Sequence, residues 1–144
     1  MILISLVSQR LIANIARVYK KQEKYAEALN YYSTSLNILK RLYDPDNNGK
    51  FHPDLAVTHY EISLMYEKMR EYSNALTYLK ASIKMLSKLK DPSYSKLLNQ
   101  ALAEKEKIQM IKTANSLKTQ GNIHFQDFKH QKAQECYEKA LSYL

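Results

Sequence analysis

Glycine and proline are scarce in this chain, which has two glycines and three prolines among 144 residues. Because β-strands are joined by turns that depend on these residues, the scarcity favours long helices over a sheet. Two glycines are also too few for a nucleotide-binding fold with its glycine-rich phosphate loop. No stretch is apolar enough to span a membrane, and the apolar start MILISLV lacks the flanks of a secretory signal. We therefore expect no membrane insertion.

Cysteine and acidic residues are also in short supply. The lone cysteine, Cys136, excludes an intramolecular disulfide and fits a reducing compartment, so we expect a cytoplasmic protein. The formal net charge is +8, which indicates an acidic partner such as a peptide, a protein surface, a nucleic acid or a lipid headgroup. Charge alone does not distinguish among these partners.

Patterns for catalysis and for metal binding are missing. The four histidines, at positions 52, 59, 124 and 130, form no pair at the i, i+4 spacing and have no cysteine partner. Serine, histidine and aspartate lie in helical patterns without the sharp turn that exposes a nucleophile. We expect no enzymatic activity, no cofactor and no metal site, and we expect His124 and His130 to replace core aromatic residues.

Residues 44–55, DPDNNGKFHPDL, resemble the first half of a calcium-binding EF-hand loop. The residues on loop positions 1, 3, 5 and 6 are Asp44, Asp46, Asn48 and Gly49. Position 12, which needs a bidentate glutamate, is Leu55, so too few oxygens remain for calcium. We interpret the segment as a turn in which residues 44–45 end one helix and residues 52–54 begin the next, with proline in its first turn.

The chain repeats itself with a period of 47 residues, and such a period identifies a helical or strand unit that must stack on its neighbours. The nine identities are Ile15 with Ile62, Tyr19 with Tyr66, Lys21 with Lys68, Tyr25 with Tyr72, Ala28 with Ala75, Leu29 with Leu76, Tyr31 with Tyr78, Ser35 with Ser82, and Leu39 with Leu86. Within each unit the apolar positions follow a helical period, and residues 20–24 form a polar turn between two helices. The repeat predicts an antiparallel helix pair.

Small and aromatic residues alternate within each pair in a pattern that resembles the tetratricopeptide repeat. The first unit meets it with Ala16, Tyr19, Ala28, Tyr32 and Ser35, and the second with Ser63, Tyr66, Ala75, Leu79 and Ser82. A third match over residues 117–141 places Gly121, Ala133, Tyr137 and Ala140 in register. The segment HPDLA also resembles the start of the long repeats of the kinesin light chain type.

This resemblance implies an all-α fold, an α-α superhelical solenoid of antiparallel helix pairs, in a single array over residues 1–144. Its predicted parts are repeat 1 over 9–43, a loop over 44–52, repeat 2 over 53–90, an extra helix over 93–112 and repeat 3 over 114–144. Asp91 and Pro92 provide a start for the extra helix. That helix is either a degenerate first helix whose partner was lost or one long helix that runs into repeat 3, and we favour a separate helix with a kink near residue 112.

The resemblance also implies that the first helices of successive repeats line a concave groove that grips peptides. The groove positions are Arg10, Asn14, Arg17 and Lys21 in repeat 1, Tyr60, Glu61 and Leu64 in repeat 2, and Asn115, Lys118, Asn122 and Phe125 in repeat 3. The first wall is cationic, and the fork-shaped guanidinium group of arginine suits a carboxylate. Lys118 and Asn122 resemble part of a carboxylate clamp for acidic C-termini.

The function expected from these features is that of a non-catalytic protein-interaction scaffold that binds an acidic peptide or protein surface. The alternative is a structural subunit of a large cytoskeletal or ciliary, microtubule-associated assembly, held through the ends of the solenoid. RNA binding ranks third, because the basic residues are spread over helix surfaces and the tyrosines are committed to the core rather than to stacking platforms.

Overall fold

The computed structural model describes residues 2–43 and 52–144, and the regular elements in these ranges are helices. They are α1 (Ile2–Lys21), α2 (Tyr25–Leu42), α3 (Pro53–Lys68), α4 (Tyr72–Lys88), a 3-10 turn (Pro92–Tyr94), α5 (Ser95–Gln126) and α6 (His130–Ser142). The all-α prediction is confirmed. The calcium-like motif at 44–49 and most of the loop predicted at 44–52 lie outside the described residues.

The chain divides into two compact units, Met1–Ala103 and Glu104–Leu144. In the first unit, α1 packs on α2, α2 on α3 and α3 on α4, which is the succession of helix pairs that a solenoid requires. Ala16 and Ala28 are fully buried where α1 and α2 meet, and their small side chains let the two backbones approach closely. Tyr32 and Leu39 of α2 are buried beside them and fill the core.

Paired tyrosines repeat through the first unit. The rings of Tyr19 and Tyr31 stack with centroids 5.3 Å apart, and those of Tyr66 and Tyr78, one period later, stack at 5.5 Å. Such offset pairs contribute beyond the apolar area that they bury, by roughly 1 kcal/mol. The periodic identities seen in the sequence therefore correspond to periodic packing between the two helices of each repeat.

Three turns join the helices within a pair, and they share one backbone geometry. Each contains a residue in the left-handed region, at Glu23 (φ 60°), Arg70 (φ 61°) and Phe128 (φ 58°). The next N–H then donates to a carbonyl five residues earlier, as a Schellman motif does. These bonds join Lys24 to Tyr19 (2.9 Å), Glu71 to Tyr66 (2.9 Å) and Lys129 to His124 (2.8 Å). The turn of the third pair therefore has the same backbone geometry as the turns of the first two.

Local capping explains where the later helices begin. The ring nitrogen Nδ1 of His52 accepts the N–H of Asp54 at 3.2 Å, and Pro53 occupies the first helical position, as predicted. The Asp91 carboxylate accepts the N–H and hydroxyl of Ser93, and these bonds hold the pKa of Asp91 below its usual value. The Asp91-Pro92 start opens a 3-10 turn, and α5 follows at Ser95.

The helix predicted over 93–112 is not separate from the third repeat. α5 is one helix of 32 residues from Ser95 to Gln126, so the expected break near residue 112 is wrong. The physical reason is that no glycine or proline occurs between residues 95 and 120, and nothing there interrupts the hydrogen-bond ladder.

The second unit packs α6 against the C-terminal part of α5 through small residues. A Cβ atom on Gly121 would lie 2.6 Å from the Cε1 atom of Tyr137, so only glycine fits beside this ring. The Tyr137 hydroxyl donates to Asn122 at 2.5 Å. His124 is half-buried, but His130 is exposed, and its ring meets Phe125 edge-on at 5.6 Å. The prediction that His130 replaces a core aromatic residue is therefore wrong.

Candidate functional site

A pocket between α1, α2 and α3 brings together four of the predicted groove residues, Arg10, Asn14 and Arg17 from α1 with Glu61 from α3. Its volume is about 190 Å³. The remaining residues of its lining are Gln9, Ala13, Tyr32, Asp54, Val57 and Thr58. The lining comes from α1 and α3 together with Tyr32 of α2, and the ion pair between Lys20 and Glu61 joins α1 to α3.

Of the two acidic residues in the pocket lining, Glu61 is neutralised by an ion pair, and Asp54 lies 3.6 Å from Nδ1 of His52. The Nζ atom of Lys20 lies 2.9 Å from Oε2 of Glu61, and the Tyr32 hydroxyl donates to the same oxygen at 3.4 Å. Burial, and then the Glu61 charge, raise the pKa of Tyr32 above its usual value, while Arg17 opposes the rise. Glu61 therefore holds α3 to α1 and α2 rather than presenting a free negative charge.

The basic side of the pocket is open to a ligand. Nη1 of Arg17 donates to Oδ1 of Asn14 at 2.7 Å, which orients the guanidinium group along α1. Arg10 and Arg17 are both exposed, and neither forms an ion pair with any residue in the ranges 2–43 and 52–144. Their charges are available to an acidic group, and an arginine fork can bind a carboxylate through two parallel hydrogen bonds.

A buried polar residue completes the pocket lining. Gln9 is 4% exposed, and its Nε2 atom donates to the Ser35 hydroxyl at 2.9 Å. Its Oε1 atom is buried and has no hydrogen-bond partner among the described residues. A buried acceptor without a partner costs about 1–3 kcal/mol of desolvation. Gln9 occupies the repeat position that Ala56 holds in the second repeat. The sequence therefore already shows a polar residue where the equivalent position is alanine.

Seven predicted groove residues lie outside the pocket lining. In the first unit, Lys21 is exposed at the end of α1, and Tyr60 and Leu64 are half-buried on α3, where Leu64 packs against the core. In the second unit, all four are exposed on α5; these are Asn115, Lys118, Asn122 and Phe125. The structure thus brings Arg10, Asn14 and Arg17 together with Glu61 and leaves Lys21 outside the pocket. Lys20 and Gln9 were missed by the sequence analysis.

A separate apolar surface runs along α1. Six aliphatic side chains on it are strongly exposed: Leu3 (73%), Ile4 (71%), Val7 (52%), Leu11 (58%), Ile15 (42%) and Val18 (55%). We call this set the α1 face. On its packed side, α1 instead buries Gln9, Ala13 and Ala16 and stacks the ring of Tyr19 on Tyr31 of α2. The α1 face is therefore distinct from the packed side of the helix.

Two other kinds of site were tested in the described part of the chain. No three histidine, cysteine, aspartate or glutamate side chains there come close enough to hold a metal ion. None of the helices there combines the length and the apolar character needed to cross a bilayer.

Comparison with protein families gives two matches, both to models described as tetratricopeptide repeat. One covers residues 8–88 and the other residues 115–143. The first spans the two pairs that build the pocket, and the second spans the pair formed by α6 and the end of α5. No curated protein matches the chain.

Proposed function

The chain belongs to the tetratricopeptide repeat family, and we propose that it is a non-catalytic scaffold that binds an acidic peptide or protein surface through the pocket of its first unit. The observation that carries this proposal is the imbalance of charge in the pocket. Among the described residues Arg10 and Arg17 have no ionic partner, whereas Glu61 is paired with Lys20. Asp54 lies beside the His52 ring, so two cations face one unpaired carboxylate. Such a pocket is complementary to a carboxylate.

The role of each pocket residue follows from its contacts. Arg17, oriented by its hydrogen bond from Nη1 to Asn14, binds a carboxylate of the ligand, and Arg10 supplies a second positive charge one to two turns away. Lys20 keeps Glu61 from repelling that ligand. The unpartnered Oε1 of Gln9 favours a ligand that also brings an N–H group, which a peptide backbone does.

The remaining predicted residues extend this proposal. Lys21, Tyr60 and Leu64 would contact the parts of the peptide that lie beyond the pocket, the first through charge and the others through apolar contact. On α5, Lys118 and Phe125 are exposed, and Asn122 is held by the Tyr137 hydroxyl. With Asn115, they form a second set of polar and aromatic groups suited to a peptide.

The finer family assignment and the location are part of the proposal. The 47-residue spacing and the segment HPDLA support repeats of the kinesin light chain type, with His52 and Pro53 beginning α3. A reducing compartment, and hence the cytoplasm, is supported by the lone cysteine of the sequence.

The test is a binding titration with a fluorescently labelled glutamate-rich peptide. We expect the Arg10→Glu, Arg17→Glu variant to bind at least about tenfold more weakly, because charge-assisted hydrogen bonds are lost and repulsion is gained. The matched control is Lys80→Glu, Lys84→Glu, which changes the net charge equally on the exposed side of α4. Equal weakening in both variants would contradict a pocket-specific site, and so would a titration that salt does not affect.

The second candidate function is a structural subunit of a large cytoskeletal or ciliary assembly, held through its ends. The specific observation in its favour is the α1 face, since exposed apolar patches commonly mark interaction sites. Apolar packing is less sensitive to salt than a cationic pocket, so the salt dependence of partner retention separates the two functions. The variants that remove the pocket charges would leave the apolar contacts of this second function intact.

A further inference from the structure

The α1 face is bordered by basic residues, and we propose that it binds an amphipathic α-helix whose own apolar stripe is flanked by acidic residues. This site is additional to the acidic-peptide pocket: its apolar surface is separate from the pocket lining, and Arg10 and Arg17 border both sites. Its affinity would come from Ile4, Val7, Leu11, Ile15 and Val18, of which the pocket lining contains none.

The spacing of these residues makes a continuous stripe. Positions 4, 7, 11, 15 and 18 are separated by three or four residues, so they fall on one side of an α-helix of 3.6 residues per turn. The helix has 20 residues, which corresponds to a length of about 30 Å. A partner helix of five or six turns would match that length, and helices are recognised in this way through residues at i, i+3, i+4 and i+7.

The exposed area is adequate for a stable contact. The six side chains of the α1 face together present roughly 600 Å² to solvent, close to the approximately 800 Å² per partner of a standard interface. At about 25 cal/mol per Å² this area provides a large part of the driving force for association. A patch of this size lies at the upper end of what monomeric proteins expose, and such patches are often functional.

The charges on α1 specify the chemistry of the partner. α1 contains Arg10, Arg17, Lys20 and Lys21 and no acidic residue. Lys20 forms an ion pair with Glu61. Arg10, Arg17 and Lys21 are spaced at i, i+7 and i+11 and therefore lie along one flank of the α1 face. A helix with glutamate or aspartate beside its apolar stripe would place those carboxylates along this flank. Complementary charge fixes the orientation and speeds association.

The same charges argue against a second copy of this chain. An antiparallel pair centred on Leu11 would join Ile4 to Val18 and Val7 to Ile15, which suits apolar packing. It would also align the basic flanks, bringing the two Arg10 side chains to the same edge of the contact. Each chain carries a net charge of +8, so long-range repulsion between the two chains adds to the local repulsion between their basic flanks.

The probe for this site is a synthetic helical peptide of about 21 residues with leucine at heptad a and d positions and glutamate on the flanks. Its matched control replaces each glutamate with lysine. We expect the wild-type chain to bind the acidic peptide at least about tenfold more tightly than the basic one. We also expect Val7→Gln, Leu11→Gln to weaken binding at least about tenfold, because glutamine preserves helix propensity and removes the apolar surface.

Three controls make the outcome decisive. Leu102→Gln, Met110→Gln removes comparable exposed apolar area from α5 and should not change binding. The glutamate-rich peptide that tests the pocket should bind the Val7→Gln, Leu11→Gln variant normally, which separates failure of this site from failure of the proposed function. If circular dichroism shows that this variant loses helix, Ile4→Gln, Val18→Gln replaces it.

Other results would overturn the proposal. Unchanged binding by the Val7→Gln, Leu11→Gln variant would mean that the peptide binds elsewhere. Equal affinity for the lysine-flanked peptide would exclude an acidic partner. If sedimentation shows that the wild-type chain dimerises and that Leu11→Gln abolishes the dimer, the occupant of the α1 face is a second copy of the chain.

Discussion

The first two helix pairs and the third pair share a turn but differ in how they are packed. All three turns place a non-glycine residue at a φ near 60°, and all three are closed by the same pattern of hydrogen bonds. The stacked tyrosines of the first two pairs, however, correspond to His124 and Cys136 in the third, and a histidine and a cysteine cannot form the stacked pair of phenol rings. The turn geometry is thus retained where the aromatic packing is not.

Equivalent leucines show the same difference quantitatively. Leu39 is 0% exposed and Leu86 is 2% exposed, but Leu144, at the same repeat position, is 81% exposed. Local sequence determines the turn because its hydrogen bonds span only a few residues. Leu39 and Leu86 lie within α2 and α4, whereas Leu144 lies past the end of α6 at Ser142, so its exposure follows from its place outside the helix. Four sets of substitutions test the packing and the turns of these repeats.

The largest expected effect is at these leucines. Leu39→Ala and Leu86→Ala should each lower the free energy of unfolding by about 3 kcal/mol, because each leaves a cavity in a packed core. Leu144→Ala should change it by less than about 0.5 kcal/mol. Urea denaturation followed by circular dichroism measures all three. A similar cost at position 144 would mean that this leucine is packed in solution.

The next effect is at Gly121, where a Cβ atom would approach the Tyr137 ring to 2.6 Å. Gly121→Ala gains about 1 kcal/mol of helix propensity, and it loses about 2 kcal/mol to crowding, so we expect a net destabilisation of roughly 1 kcal/mol. Tyr137→Leu introduces leucine, which is the residue at the equivalent position of the second repeat, Leu79. In that background Gly121→Ala should become stabilising, and a double-mutant cycle by thermal unfolding measures the coupling. Zero coupling would contradict the contact.

An effect of similar size and opposite sign is expected in the turns. Glu23→Gly, Arg70→Gly and Phe128→Gly should each stabilise the protein by about 1 kcal/mol, since glycine adopts the left-handed conformation without steric cost. The gain should be least at Phe128, whose ring also meets His130 edge-on. The matched alanine variants keep the Cβ atom and should show no gain. Destabilisation by all three glycines would contradict a left-handed turn.

The smallest effect concerns His59, which is buried in the first unit and whose Nδ1–H donates to the Leu55 carbonyl at 2.7 Å. Burial, together with the charge of Lys40, lowers its pKa below 6.5. The unfolded chain therefore takes up the proton first as pH falls. The stability contributed by neutral His59 is complete above about pH 6.5 and is lost as pH falls toward the folded-state pKa.

Substitution of His59 by leucine isolates this dependence, because the corresponding positions of the other repeats are Ile12 and Leu117. His59→Leu should reduce the loss of stability between about pH 7 and pH 5, as measured by urea midpoints across that range. The other three histidines are common to both proteins and serve as the internal control. An identical pH profile in both proteins would show that His59 contributes nothing to it.

Much of the fold could be predicted from the sequence because the repeat is local. The 47-residue period identified the helix pairs, and the positions of Ala16, Ala28 and Tyr32 identified their contact. The start of α3 followed from His52 and Pro53, since both cap signals act within one turn. These features depend on residues close in sequence, and for this reason a pattern can reveal them.

The rest depends on contacts between distant residues. Lys20 was assigned to a polar turn, but α1 continues to Lys21, and the Lys20 ammonium group reaches Glu61, which lies 41 residues later. Gln9 lies at a position that is alanine in the next repeat, and its burial depends on Ser35 of α2. The continuity of α5 past residue 112 was missed because a missing breaker permits either arrangement.

The three turns also have a practical use in spectroscopy. Glu23, Arg70 and Phe128 are exposed positions with matched backbone geometry, and three different side-chain chemistries already occupy them. In a chain with Cys136 replaced by alanine, cysteines at 23 and 70 would carry spin labels or dyes in nearly identical local surroundings. The distance between the labels would then report the spacing from one repeat to the next. A change in that distance on addition of a partner would show that binding alters the spacing within the first unit.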